Sequence, residues 1–168
     1  MVPGTGISLQ NRGSGFSVRP DHANVVAPRK RPFHTLVPAM VLKDKQPWFS
    51  FGVMGGDMQP QGQAQIIINR TDYGLDAQAA GDSPRWHHEG SSQKMGEDDP
   101  TLGPRGLLRL ETGVPDRTAA ALAAMGWTIG ESDGGFGRYQ CVERRMDGDE
   151  RVYGASSEMR ADGLALAY

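Results

Sequence analysis

The stretch Trp48-Phe-Ser-Phe-Gly-Val-Met-Gly-Gly-Asp57 decides how this 168-residue chain is interpreted. Its apolar first part predicts a strand, and the residues from Gln59 onward predict a helix, so Gly55 and Gly56 fall at the corner between them. Paired glycines leave two backbone N–H groups uncovered by side chains, which is one of the few ways a backbone can hold a developing oxyanion. Paired glycines are also common in tight turns without any catalytic role, and spacing alone leaves both interpretations open.

Composition limits the class of protein. The length fits a single domain over residues 1–168. The formal charge of −2 and the pI near 6.1 argue against a nucleic-acid partner. The single cysteine, Cys141, excludes an internal disulfide. No segment has the length of a membrane span and the N-terminus carries no export signal, so we expect no membrane partner. The cytoplasm is slightly favoured, although the parent protein could be exported.

The remaining pattern predicts short elements of a mixed α/β (α+β) protein. Val37–Lys43 and Trp48–Met54 have the apolar runs and the short connection of a hairpin. A helix is expected over Gln59–Tyr73, and Gly74 suits its C-terminal cap. A second, shorter helix is expected to begin at Asp76 as its N-cap.

Weaker signals complete the predicted order of elements. The polar segment 89–104 is expected to be an exposed, mobile loop. The other predicted elements are a strand at Ile7–Asn11, a strand at Leu107–Glu111, a helix at Pro115–Met125, and a hairpin formed by Tyr139–Arg145 and Arg151–Tyr153.

The run His87-His88-Glu89 raises the possibility of a metal site. Adjacent side chains on a strand point to opposite faces, so the two histidines cannot readily share one ion. A metal hydrolase using these three residues is therefore ranked far below the other interpretations, and we expect no metal.

Six motifs follow one another along the chain: Leu9-Gln-Asn-Arg-Gly-Ser-Gly-Phe16, Lys30-Arg-Pro-Phe-His-Thr35, Gly52-Val-Met-Gly-Gly-Asp57, Asp72-Tyr-Gly74, Ala80-Gly-Asp-Ser-Pro-Arg85 and Tyr153-Gly-Ala-Ser156. Taken in this order, they resemble the small subunit of the gamma-glutamyltransferase (gamma-glutamyltranspeptidase) family, in the N-terminal nucleophile hydrolase superfamily. The resemblance runs from about Gly4 to Tyr168 and corresponds to the C-terminal part of that subunit.

The resemblance implies a four-layer αββα sandwich, an enzyme that needs no cofactor, and an oxyanion role for Gly55 and Gly56. It also implies a nucleophile: the N-terminal Thr released by precursor cleavage, whose α-amino group is the general base. In the family this Thr lies upstream of the first motif, and Thr5 falls in a connector. The chain is therefore expected to be a partial sandwich that lacks the first strands and the nucleophile. It would be inactive without its missing N-terminal part or large subunit.

The substrate-binding positions depart from the family pattern. The acidic residue that holds the donor's α-amino group is replaced by Gly15, and Arg12 stands at the preceding glutamine position. The serine pair that holds the α-carboxylate appears as His34-Thr35. Arg12 favours an anionic group. These residues suggest a small γ-glutamyl or dicarboxylic acyl amide as substrate, with preference for a glutaryl-type donor without the α-amino group.

Two functions compete for the chain itself. It is either part of a gamma-glutamyltransferase-like amidohydrolase or acyltransferase, or a non-catalytic remnant that acts as a binding or subunit-assembly module. Either way, missing strands would leave an unpaired sheet edge and uncovered apolar side chains, for which Phe49, Phe51 and Ile67 are the candidates.

Overall fold

The structure is a computed structural model and describes residues 2–90, 105–132 and 134–166. The chain divides into two compact units, Met1–Leu36 and Val37–Tyr168. The expectation of a single domain over residues 1–168 stays a prediction. No helix in the described residues is long and apolar enough to cross a membrane.

The first unit consists mainly of loops. Its regular features are a 3₁₀-helix at Arg12–Gly15 and an isolated parallel bridge between Ser17 and Val25. The predicted strand at Ile7–Asn11 is wrong: these residues are exposed and pair with no strand of the described chain. A weak alternation of apolar residues does not make a strand where no neighbouring strand or buried face is available.

The second unit holds two sheets and three helices, which confirms the predicted mixed α/β class. Its elements in chain order are β1 Ala39–Lys43, β2 Gln46–Met54, α1 Met58–Thr71, α2 Ala77–Asp82, β3 Trp86–Glu89, β4 Leu107–Leu110, α3 Asp116–Ala124, β5 Thr128–Gly130, β6 Arg138–Asp147 and β7 Glu150–Ser157.

The larger sheet is antiparallel and has the strand order β1-β2-β6-β7. Phe49, Phe51 and Val53 alternate along β2 onto the buried face of this sheet, where Tyr139 and Cys141 of β6 join them. Phe49 is 2% exposed and Phe51 4%, so the expectation that these two rings are uncovered is wrong: this core covers them. Ile67 is 38% exposed.

The smaller sheet has the order β3-β4-β5, with β3 antiparallel and β5 parallel to β4. Strand β4 confirms the prediction at Leu107–Glu111. Strands β3 and β5 had no sequence prediction, because β3 consists largely of polar residues and β5 has only three residues. Residues 91–104 of the predicted mobile loop lie outside the described part of the chain.

Turn and cap residues explain why the predicted hairpins and helices form. Asp44 and Lys45 both have positive φ, 52° and 62°, as the tight two-residue turn between β1 and β2 requires. The Asp76 side chain accepts a hydrogen bond from the Ala79 N–H at 2.7 Å and caps α2, as predicted. The predicted second hairpin is confirmed as β6 and β7, and α1 and α3 confirm the two longer helices.

Candidate active site

Gly55 and Gly56 form the corner between the end of β2 and the start of α1. Both are exposed and both have positive φ, 142° and 59°. Their carbonyl groups accept hydrogen bonds from the Met58 and Gln59 N–H groups at 3.1 Å each, which begins the first turn of the helix. Within the described residues, neither glycine N–H donates a hydrogen bond to the protein. With respect to the described residues, the corner therefore has two exposed glycines whose N–H groups have no acceptor in the protein.

Two properties make glycine necessary at Gly55. Its φ is strained for any residue with a side chain, and a Cβ built there would lie 2.9 Å from the Cα of Gly137. Gly56 has open space around it, so only its φ of 59° favours glycine. The corner also precedes the 14-residue helix α1, whose N-terminal dipole adds positive potential at this corner.

The residues that pack against Gly55 were not identified from the sequence as a support for this corner. Gly137, which immediately precedes β6, is in contact with Gly55, and the neighbouring Phe136 is 1% exposed. The Phe136 carbonyl accepts a hydrogen bond from Arg85 Nη1 at 2.8 Å. The glycine-rich run Gly134-Gly-Phe-Gly137 just before a strand was the available signal for this close approach of two backbone segments.

Arg85 belongs to a buried ion network with Glu158, Arg160 and Glu111. Arg85 Nη2 and Arg160 Nη1 each lie 2.7 Å from Glu158 Oε2, and Arg160 Nη2 lies 2.5 Å from Glu111 Oε2. The Arg85 and Glu158 side chains are 1% and 0% exposed. Backbone carbonyls of Gly81 and Ser83 take further guanidinium hydrogen bonds. The network ties α2 and the start of β3 to the segment after β7.

Burial and pairing shift the pKa values in this network. Burial lowers the pKa of the Arg85 guanidinium, and the nearby Arg160 cation lowers it further. Burial alone would raise the pKa of Glu111, but hydrogen bonds from the Arg160 side chain and the Arg85 backbone N–H bring it below its ordinary value. Burial alone would lower the pKa of Arg160, but its hydrogen bonds to the two carboxylates raise it.

The four predicted substrate-binding residues all lie in the first unit. Arg12 Nη1 donates a hydrogen bond to Thr35 Oγ1 at 2.5 Å, so the structure brings these two residues together. The Gly15 carbonyl accepts a hydrogen bond from Asn24 Nδ2 at 2.6 Å. His34 Nδ1 accepts a hydrogen bond from the Leu36 N–H at 3.2 Å.

A groove of about 640 Å³ lies in the same unit and includes Gly15 in its wall. Its other lining residues include His22, Lys30 and Arg31, and none of its lining residues is acidic. The ammonium group of Lys30 donates to the Ala23 carbonyl at 2.7 Å. An anionic group therefore suits this groove better than a cationic one.

Two of the three side chains in the run His87-His88-Glu89 have other partners. Glu89 Oε1 accepts a hydrogen bond from Arg109 Nε at 2.7 Å, and His88 Nε2 lies 2.9 Å from the Arg105 carbonyl. The His88 ring also packs edge-on against Trp127, with ring centroids 5.1 Å apart. No group of three potential ligands among residues 2–90, 105–132 and 134–166 is arranged to hold a metal ion.

The family model described as gamma-glutamyltranspeptidase matches residues 1–168. The chain belongs to the gamma-glutamyltranspeptidase family. It is 38% identical over 165 residues to a glutathione hydrolase-like proenzyme of Bacillus subtilis strain 168, covering 96% of this chain and 29% of that relative. It is also 43% identical over 86 residues to the oxamate amidohydrolase proenzyme of Klebsiella pneumoniae, covering 51% of this chain and 16% of that one.

One solved structure matches this member of the gamma-glutamyltranspeptidase family over its whole length. The cephalosporin acylase of Bacillus halodurans is 40% identical, with a TM-score of 0.72, and the match covers 100% of this chain and 29% of the acylase. The predicted family and its N-terminal nucleophile hydrolase fold are thereby confirmed. The chain spans less than a third of the length of each of these relatives.

Proposed function

We propose that this chain forms part of an acyl-enzyme amidohydrolase or acyltransferase in which the N–H groups of Gly55 and Gly56 bind the oxyanion. The observation that carries the proposal is the pair of exposed glycines at the β2–α1 corner, neither of whose N–H groups donates to another described residue. Such donors stabilise charge that develops in the transition state, and the loss of one costs about 2.7–4 kcal/mol. The helix dipole of α1 acts in the same direction.

The nucleophile in this proposal is an N-terminal Thr supplied from outside residues 1–168. Its hydroxyl oxygen adds to the amide carbonyl carbon while its own α-amino group takes the hydroxyl proton. The carbonyl oxygen becomes the anion held by Gly55 and Gly56. The C–N bond then breaks, the amine leaves with the proton, and water or an acceptor amine releases the acyl group from the Thr oxygen.

Two observations support a nucleophile from another segment. The curated relatives are named as proenzymes, and the chain covers only 29% of the glutathione hydrolase-like one. Thr5, the first threonine of the chain, donates its hydroxyl to the Val2 carbonyl at 2.9 Å in an exposed turn. The partner we propose is the remaining N-terminal part or large subunit of the same precursor.

The substrate we propose is a dicarboxylic acyl amide, such as a glutaryl amide, in preference to a γ-glutamyl amide. Gly15 offers no carboxylate to a substrate ammonium group, whose charge-assisted hydrogen bond would contribute roughly 1.5–3 kcal/mol. Arg12, held by Thr35, presents a cation instead. The names of two relatives, an oxamate amidohydrolase and a cephalosporin acylase, also describe substrates other than γ-glutamyl amides.

The oxyanion role is tested by hydrogen exchange in the assembled enzyme, residues 1–168 together with the Thr-bearing segment. A glutaryl phosphonate, whose tetrahedral anion resembles the transition state, is added, and exchange of residues 54–58 is followed by mass spectrometry. We expect protection of the Gly55 and Gly56 amides by the phosphonate and none by glutarate. Unchanged exchange with both ligands would refute the role.

The donor preference is tested with paired chromogenic anilides. We expect the assembled enzyme to hydrolyse glutaryl anilide with a higher kcat/KM than γ-glutamyl anilide, and Arg12→Gln to lower the glutaryl value about 10-fold or more, the loss of one charge-assisted hydrogen bond. The matched control is Arg19→Gln, which removes an exposed arginine of the same unit. Faster γ-glutamyl hydrolysis would reject the preference, and activity of the isolated chain would reject the external nucleophile.

A further inference from the structure

We propose that Gly137 and Arg85 are positioning residues that hold the oxyanion corner in its productive geometry. The inference rests on the proposed function of Gly55 and Gly56. Neither Gly137 nor Arg85 is expected to touch the substrate. Gly137 contacts the backbone of Gly55, and Arg85 binds the Phe136 carbonyl next to Gly137.

The first step is the contact between two backbone segments. A Cβ on Gly55 would lie 2.9 Å from the Gly137 Cα, and a Cβ on Gly137 would lie 2.7 Å from both the Met54 carbonyl oxygen and Val53 Cγ1. Val53 and Met54 are the last two residues of β2 before the Gly55–Gly56 corner. The absence of a side chain at Gly137 therefore sets how close β2 can come to this segment, and with it the position of the Gly55 amide.

The second step is how the Gly137 segment is itself held. The carbonyl of the Phe136–Gly137 peptide accepts a hydrogen bond from Arg85 Nη1 at 2.8 Å. Phe136 is 1% exposed, so this peptide is fixed within the interior. The other side of the Arg85 guanidinium is held by Glu158, with 2.7 Å between Nη2 and Oε2. A buried ion pair thus supports the peptide that lies against the corner.

The third step is a control position, Gly134, which lies in the same glycine-rich run as Gly137. Gly134 has φ +78°, close to the +74° of Gly137, but a Cβ at Gly134 would meet no atom of the described residues within 4 Å. Alanine carries a similar backbone strain at both positions. Only at Gly137 does its methyl group press on the end of β2. The difference between the two variants therefore isolates the contact from the strain.

The test compares Gly137→Ala with Gly134→Ala in the assembled enzyme, using glutaryl anilide. The stoichiometry of glutarate binding counts competent sites, so unfolded protein lowers the count and leaves kcat per site unaffected. We expect Gly137→Ala to lower kcat per site about 10- to 100-fold, the scale of a misplacement of up to about 1 Å, and to leave KM within about twofold. Gly134→Ala is expected to leave both within about twofold.

A second readout separates positioning from a merely structural role. Gly137→Ala is expected to weaken phosphonate binding by the same factor as kcat while glutarate binding is unchanged, because only the phosphonate needs the oxyanion donors. If Gly137→Ala yields no competent sites, Arg85→Lys replaces it, since a lysine cannot reach both the Phe136 carbonyl and Glu158 as a guanidinium does. The same selective loss is then expected.

The outcomes distinguish this inference from the proposed function. If the phosphonate protects residues 54–58 of the wild-type enzyme but both Gly137→Ala and Arg85→Lys retain wild-type kcat and phosphonate affinity, the positioning inference is overturned and the proposed function stands. If the phosphonate gives no protection in the wild-type enzyme, the proposed function fails and this inference fails with it. Equal losses in Gly134→Ala and Gly137→Ala would also overturn the inference.

Discussion

The Arg85 guanidinium and the Glu158 carboxylate pair at 2.7 Å with almost no solvent exposure. One partner lies at the start of β3 and the other just after the end of β7. Arg160 binds the same carboxylate oxygen, so one buried carboxylate pairs with two guanidinium groups. The pair joins two residues 73 positions apart in the chain, and Arg85 also donates a hydrogen bond to the Phe136 carbonyl.

Removing the charge of Glu158 is expected to destabilise the protein strongly. Glu158→Gln leaves Arg85 buried without its counter-ion, and breaking such a pair costs about 3–5 kcal/mol. The control is Asp21→Asn, which breaks an ion pair whose side chains are 71% and 72% exposed and is expected to cost under about 1 kcal/mol. Urea unfolding followed by tryptophan fluorescence measures both. Equal losses in the two variants would show that burial of the Arg85 pair does not matter.

The low pKa of Glu111 predicts that stability falls in acid. A carboxyl group whose native pKa lies below its unfolded value stabilises the fold above the unfolded value, ordinarily 4.5. That contribution disappears as the pH falls through the native pKa. We expect the free energy of unfolding to decrease between pH 7 and pH 3 by more in the wild-type chain than in Glu111→Gln. Parallel pH profiles for the two proteins would contradict the shift.

Cys141 is expected to be chemically inert in the folded protein. It is 4% exposed in the core beside Tyr139, and burial raises the pKa of its thiol. Both properties reduce the amount of accessible thiolate. We expect no reaction with a disulfide reagent at pH 8 on the time scale of minutes, and complete reaction of one thiol in denaturant. Rapid labelling without denaturant would place the thiol at the surface.

The isolated chain is expected to self-associate through the outer strand β1. Among the described strands β1 has a neighbour, β2, on one side only, and Met40 on this strand is 60% exposed. A lysine on an edge strand opposes pairing with another chain, so Met40→Lys is expected to shift the chain toward monomer in size-exclusion chromatography with light scattering.

The matched control for this substitution is Met125→Lys, because Met125 is 64% exposed but lies at the end of α3 and not on the sheet. It should leave the elution unchanged. A wild-type chain that elutes as a stable monomer would remove the basis of the prediction.

Local signals in the sequence predicted most elements of the second unit. The β1–β2 hairpin followed from two apolar runs joined by Asp44-Lys-Gln46, and α2 followed from its Asp76 cap. The failure at Ile7–Asn11 has the opposite cause, since a strand needs a partner that its own sequence does not encode. The three-residue β5 was too short for any periodic pattern to indicate it.

The candidate site could be located from the sequence, but the residues that hold it in place could not. Gly55 and Gly56 were identified because a strand-to-helix corner is a local pattern. Their contact with Gly137 joins positions far apart in the chain, and the Arg85–Glu158 pair spans 73 residues. Such contacts depend on how the sheets and helices pack, so a local signal such as the Gly134–Gly137 run can indicate a close approach but not which segment it meets.

The Arg85–Glu158 pair has a consequence for biosynthesis. During translation α2 and β3 leave the ribosome long before residue 158 is made, so Arg85 must remain hydrated and its surroundings open until the end of β7 has emerged. A transcript with a stop codon at position 158 would therefore yield a polypeptide with an unneutralised cation in its interior. Cellular proteases should remove that product, although it would contain every strand and helix of the described residues.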